Sequence, residues 1–122
     1  MNKILIIGLA LGALIACNSS DSKGGKEVTD ITKDPDYQKG LDLVSKNKCL
    51  TCHTVDETLT GPPYREVAKK YAGMSDTIIA HLAKKIIGGG NGVWGEIYMT
   101  AHPDISEADA EAMVKYILLL KK

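Results

Sequence analysis

Two thiols and an imidazole stand within five residues of this 122-residue chain, in the segment Cys49-Leu50-Thr51-Cys52-His53. Thiols three positions apart share one helical turn, where each can add across a vinyl group of a haem. An imidazole in the next position is then placed under the iron as an axial ligand. The order C-x-x-C-H is that of a c-type haem attachment site. Other uses of paired thiols fit less well. Zinc asks for four ligands, and the chain holds no second Cys pair. A dithiol redox centre has no need of His53.

The third cysteine, Cys17, has a different setting. Lys3 supplies a positive start, and Ile4 to Ile15 form an apolar run of about twelve residues, too short to span a bilayer core of ~30 Å. Residues 1–16 therefore read as a signal peptide. Its end, Leu14-Ile15-Ala16-Cys17, resembles a bacterial lipobox, in which the cysteine thiol is lipidated and becomes the first residue after cleavage. Several acyl chains anchor a protein stably. The alternative is an ordinary signal peptide cleaved near a cysteine. With the lipobox, every cysteine has a use and no disulfide is expected. Residues 17–33 begin with the polar, small stretch Asn18 to Lys26 and read as a tether. Its roughly 17 residues reach on the order of 20–25 Å as a flexible coil.

Residues 34–122 form one domain, with no room for a second core. The chain has no Phe, one Trp and five Tyr, a thin aromatic supply at a size where burial per residue is low. A covalently held porphyrin would fill that gap as the centre of the core. The apolar spacing is helical throughout, and no segment alternates as a strand would. A first helix opens at Asp34-Pro35, cap and first-turn proline, and runs to about Asn47. A second covers Tyr64 to Tyr71, followed by Gly73 as a C-terminal cap. A third follows Ser75 or Asp76 to about Ile87 and stops at Gly88-Gly89-Gly90. The last starts at the capping-box-like Ser106-Glu107-Ala108-Asp109 and runs almost to the C-terminus, with Lys115, Lys121 and Lys122 in its second half, where cations suit the helix dipole.

With these pieces in order, the domain resembles a small bacterial class I cytochrome c, a monohaem protein with His/Met-ligated iron. The resemblance covers about residues 34–121. It rests on the attachment run, Gly61-Pro62 shortly after it, Gly92-Val93-Trp94-Gly95 further on, and Met99 ahead of a capped C-terminal helix. It implies an all-α fold of about four helices around one haem c, bound through Cys49 and Cys52. It further implies that the Pro62 carbonyl accepts the second N–H of His53, that Trp94 donates to a haem propionate, and that Gly40 lets the first helix cross closely over Tyr116 of the last. Pro62-Pro63 would equally make a rigid turn, and Trp94 could be plain core.

Met99 is the expected sixth ligand. Met1 leaves with the signal, Met74 sits at a helix start, and Met113 lies on the inner stripe of the last helix, where methionines are usually core. The chain departs from many relatives after Met99, where Thr100-Ala101-His102-Pro103 replaces a Pro-Pro pair. The loop is therefore expected to be softer, with His102 able to replace Met99 at high pH or after misassembly. His81 is expected on the surface.

Iron capped by His53 and Met99 has no open site for substrate, so the resemblance implies an electron carrier and not an enzyme. It would be a monomer on the extracytoplasmic, periplasmic side, anchored to a bacterial membrane through Cys17 and working in a respiratory chain. The alternative is a haem-based sensor or gas-binding module in which Met99 is displaceable. A peroxidase would want an open iron and usually a second haem, and only one attachment run exists. Fifteen basic and fifteen acidic residues leave no nucleic-acid footprint. Lys46 and Lys48 beside the attachment run suit transient, salt-dependent docking of redox partners with acidic patches.

Overall fold

In the computed structural model, which describes residues 30–121, four helices and one short hairpin follow in the order α1 (Pro35–Lys46), α2 (Tyr64–Tyr71), α3 (Thr77–Gly88), β1 (Gly90–Gly92), β2 (Gly95–Met99) and α4 (Glu107–Leu119). The expected signal peptide, the lipidation site Cys17 and the tether as far as residue 29 lie outside the described residues. Residues 31–33, which composition places in the tether, instead form a single 3-10 turn. The Asp30 carboxylate accepts from the Thr32 amide at 3.1 Å, and Gln38 of α1 donates to the Thr32 carbonyl at 3.1 Å.

The helix ends have local causes. The Asp34 carboxylate accepts from the Asp36 amide at 2.8 Å, and Pro35 occupies a first-turn position where a missing N–H costs nothing. Ser106 Oγ caps α4 by accepting from the Asp109 amide at 3.2 Å. Gly73, just past α2, has φ +76° and ends that helix.

α4 is the hub. Ala110, Met113, Val114, Tyr116 and Ile117 are buried along it, and it packs against α1, α2 and α3. The α1–α4 crossing is close because Gly40 has no side chain: a Cβ there would fall on Tyr116 Cβ and the Ala112 backbone. At the far end of α4, Arg65 Nη1 donates to the Leu120 carbonyl at 2.7 Å. Its Nε and Nη2 meet the Asp56 carboxylate at 2.5 and 3.4 Å.

Two expectations need correction. The domain is not helical throughout, because β1 and β2 pair antiparallel with Gly90 opposite Met99 and Gly92 opposite Gly95, the register breaking between them. Gly90, Gly92 and Gly95 all have positive φ. β1 is Gly-Asn-Gly, and β2 is exposed along all but its last residue, so neither carries an alternation for a pattern search to find. The last helix also stops at Leu119, so Lys121 lies beyond it, and Lys115 pairs across to Asp36 of α1 at 3.7 Å. Among the described residues, no helix is long and apolar enough to cross a membrane.

Gly40→Val is expected to destabilise the folded protein by about 1–3 kcal/mol through overpacking, read as a lowered midpoint of thermal unfolding. Gly40→Ala should show much of the same loss, since the first added carbon already collides.

Candidate cofactor site

After α1 the chain turns sharply. Lys48 takes a left-handed conformation with φ 57°, unusual for a side chain with a Cβ. Its carbonyl accepts from both the Thr51 amide (3.1 Å) and the Thr51 hydroxyl (2.8 Å). The 3-10 turn Cys49–Thr51 that follows is closed by the Cys52 and His53 amides, which donate to the Cys49 carbonyl at 3.2 and 3.0 Å. This turn sets Cys49, Cys52 and His53 on the wall of a cavity of about 780 Å³, within the ~300–1,000 Å³ usual for small-molecule and cofactor sites. Pro62, Trp94 and Met99 line the same cavity.

His53 Nδ1 lies 2.8 Å from the Pro62 carbonyl oxygen. A carbonyl only accepts, so the proton belongs on Nδ1 and Nε2 keeps a free lone pair, the form an imidazole needs to ligate a metal. The Gly61 amide, in turn, donates to the Cys52 carbonyl at 2.8 Å. Gly61 leaves the space the ring occupies, since a Cβ there would meet His53 Cε1, Nδ1 and Nε2. Cys49 and Cys52 are both free thiols, the first half-buried and the second exposed. Burial pushes the Cys49 thiol up, with the neighbouring Cys52 adding to the shift.

Met99 ends β2 and is half-buried. The loop after it lacks the Pro-Pro pair but has another restraint. The His102 amide donates to the carbonyls of Ile86 and Ile87 at 3.2 and 3.0 Å, where α3 runs out. Gly89 packs where a Cβ would strike the Met99 carbonyl and the Ala101 amide nitrogen. The His102 side chain lines the cavity. Met113 also reaches the wall but is fully buried in the core, and Met74 is exposed and not part of it.

Trp94 sits between β1 and β2, lines the cavity and is 44% exposed. Lys70 Nζ lies 5.4 Å from its ring centroid. Lys48 lines the cavity, while Lys46 is paired within α1 to Asp42 at 2.7 Å. His81 is exposed as expected, yet it too lines the cavity, with Lys85 one turn further along α3. Tyr64, which the sequence marks only as the start of the second helix, lies with its ring against His53. Its place directly after Pro62-Pro63 was the only available signal.

The donor set fits a haem. Two unpaired thiols, an imidazole with a free Nε2 and a thioether share one largely apolar cavity. Among the described residues, no group of three or more His, Cys, Asp or Glu gathers to cage an ion.

The Cytochrome c family pattern matches residues 37–121. Cytochrome c-552 of Nitrosomonas europaea is 44% identical over 84 residues, covering 69% of this chain and 81% of the relative. Cytochrome c-551 of Stutzerimonas stutzeri is 33% identical over 124 residues, covering 99% of this chain and 100% of the relative. The crystal structure of wild-type Nitrosomonas europaea cytochrome c552 matches with a TM-score of 0.62 at 44% identity, over 66% of this chain and 99% of that one.

Gly89 adopts φ 69° and ψ −158°, a region open essentially to glycine, where another residue costs about 1–3 kcal/mol. Gly89→Ala is therefore expected to loosen the Met99 loop and to speed hydrogen exchange of the His102 amide about tenfold or more.

Proposed function

This chain belongs to the cytochrome c family and is an electron carrier holding one covalently attached haem c, and on that premise we propose that Cys49 and Cys52 form the thioethers and that His53 and Met99 are the axial ligands. Pro62 orients His53, and Trp94 donates to a haem propionate. The observation that carries the assignment is the 2.8 Å contact between His53 Nδ1 and the Pro62 carbonyl, which leaves Nε2 free.

When bound, the haem supplies a one-electron iron couple, whose potential is higher with a soft, neutral thioether ligand than with a second imidazole. The chain's own residues do the rest. Pro62 fixes the His53 tautomer and makes its Nε2 more basic. Cys49 and Cys52 keep the group in place through repeated cycles. Gly89 and the His102 amide hold the backbone around Met99, so the thioether stays positioned in both oxidation states. His53 and Met99 would hold the iron from two sides and leave it no open position for a substrate, which suits a protein that carries electrons without making or breaking bonds.

Leu50 and Cys52 are exposed beside Lys48, which suits a partner that docks briefly on an apolar spot edged by positive charge. In this reading the protein is a monomer on the extracytoplasmic, periplasmic side, held to a bacterial membrane by lipid on Cys17 and serving a respiratory chain. The lipobox-like Leu14-Ile15-Ala16-Cys17 and the apolar run before it support that placement.

Two measurements test this. Material from a host competent in cytochrome maturation is expected to be coloured, with an intact mass equal to residues 17–122 plus one haem and the acyl groups. Colourless protein overturns the site, and a haem-bearing mass without lipid overturns the anchor alone. Met99→His is expected to abolish the weak long-wavelength charge-transfer band of ferric iron–thioether ligation. It should also lower the potential by roughly a few tenths of a volt, a fraction of the ~0.8 V that axial ligands span. A variant with the wild-type band moves the sixth ligand elsewhere.

A further inference from the structure

Four aromatic rings stand in a row between the α1–α4 crossing and the imidazole. Tyr37 of α1 meets Tyr116 of α4 edge to face, with centroids 5.1 Å apart and planes at 72°. Tyr116 meets Tyr64 of α2 the same way, at 6.3 Å and 86°. Tyr64 then stacks on His53, with centroids 5.2 Å apart and planes only 18° from parallel. Edge-to-face and offset-stacked pairs are the arrangements that ring quadrupoles favour. Tyr64 and Tyr116 are 3% and 2% exposed, so neither ring has room to swing away.

The Pro62 carbonyl holds the imidazole at one atom, Nδ1. One hydrogen bond pins a point, and Gly61, which has no side chain, lies against the ring without gripping it. A second ring lying nearly parallel supplies the grip, provided its own position is fixed. Here it is. The Tyr64 amide donates to the Thr54 carbonyl at 2.9 Å and the Arg65 amide to the Val55 carbonyl at 3.0 Å, tying the start of α2 to the strip that follows His53. Tyr116 backs the ring from α4, at the spot where Gly40 brings α1 and α4 together.

We propose that Tyr64 is a positioning residue for the proximal ligand: its buried ring, backed by Tyr116, sets the plane of the His53 imidazole. The inference rests on His53 being the axial ligand, as read above. The stack involves the ring and not the hydroxyl, so Phe should serve in its place and an aliphatic side chain should not. A residue that merely filled core volume would be replaced by Leu with a loss of stability and no change at the iron.

The test is proton NMR of the ferric holoprotein, because the imidazole plane, together with the orientation of the thioether opposite it, governs how unpaired spin spreads over the porphyrin. That spread sets the hyperfine shifts of the haem methyls and of the His53 ring protons. Tyr64→Phe is expected to keep the wild-type pattern. Tyr64→Leu, with intact mass confirming attached haem, is expected to change the spacing or order of the methyl signals, and Tyr116→Leu should alter them in the same sense to a smaller degree. A Tyr64→Leu holoprotein with the wild-type pattern overturns this proposal and leaves His53 ligation standing. Wild-type shifts that arise from a side chain other than His53 overturn both. If Tyr64→Leu does not accumulate, the reduced wild-type holoprotein decides: nuclear Overhauser effects between the Tyr64 and His53 rings support the stack, and their absence overturns it.

Discussion

Where α1 passes over α4, Gly40 lies against Tyr116 and the Ala112 carbonyl with no space for even one methyl group. The rest of the domain inherits its geometry from that approach. α1 sets where the Lys48 turn begins, and so where Cys49 and Cys52 meet the cavity. α4 sets where Tyr116 stands, and so what supports Tyr64 and the imidazole beside it. A helix-interior glycine costs about 1 kcal/mol relative to alanine. It is tolerated here because it lets both helices bury apolar faces that a wider crossing would leave wet.

The two sides of the cavity are built differently. Around His53 the chain uses short-range hydrogen bonds between backbone groups, from the 49–53 turn to the Gly61 amide and the start of α2. Around Met99 it uses a hairpin with three positive-φ glycines, held at its base by two carbonyls left over as α3 ends. Helix C-termini always leave such carbonyls in need of donors. The His102 amide meets that need, and the same bonds that finish α3 locate the thioether loop. The expectation of a softer loop rested on the missing Pro-Pro pair. It did not reckon with backbone donors whose partners lie 15 or 16 positions earlier in the chain.

Local patterns were legible in the sequence. α2 spans Tyr64–Tyr71 as the spacing of Tyr64, Val67, Ala68 and Tyr71 suggested, and the caps at Asp34 and Ser106 are where their side chains predicted. The five-residue attachment run identified a chemistry because its order is demanding even without a fold. What stayed hidden depended on tertiary proximity. Nothing near Arg65 in the chain foretells Leu120, and nothing about Tyr64 beyond its place in the helix foretells a ring stacked on His53. The hairpin escaped because its turns rest on the backbone freedom of Gly90, Gly92 and Gly95, and because β2 buries neither face, leaving no side-chain alternation to read.

Arg65 reaches a carbonyl 55 residues further along the chain, with Asp56 on one side of its guanidinium and the Leu120 carbonyl on the other. A carbonyl at a helix end normally frays with the last turn, and a segment such as 54–56 normally loosens by itself. Held through one planar cation, each lends the other a restraint. The closing turn of the final helix is thus tied to the residues just beyond His53, so that melting at the C-terminal end removes one restraint on the segment beside that imidazole.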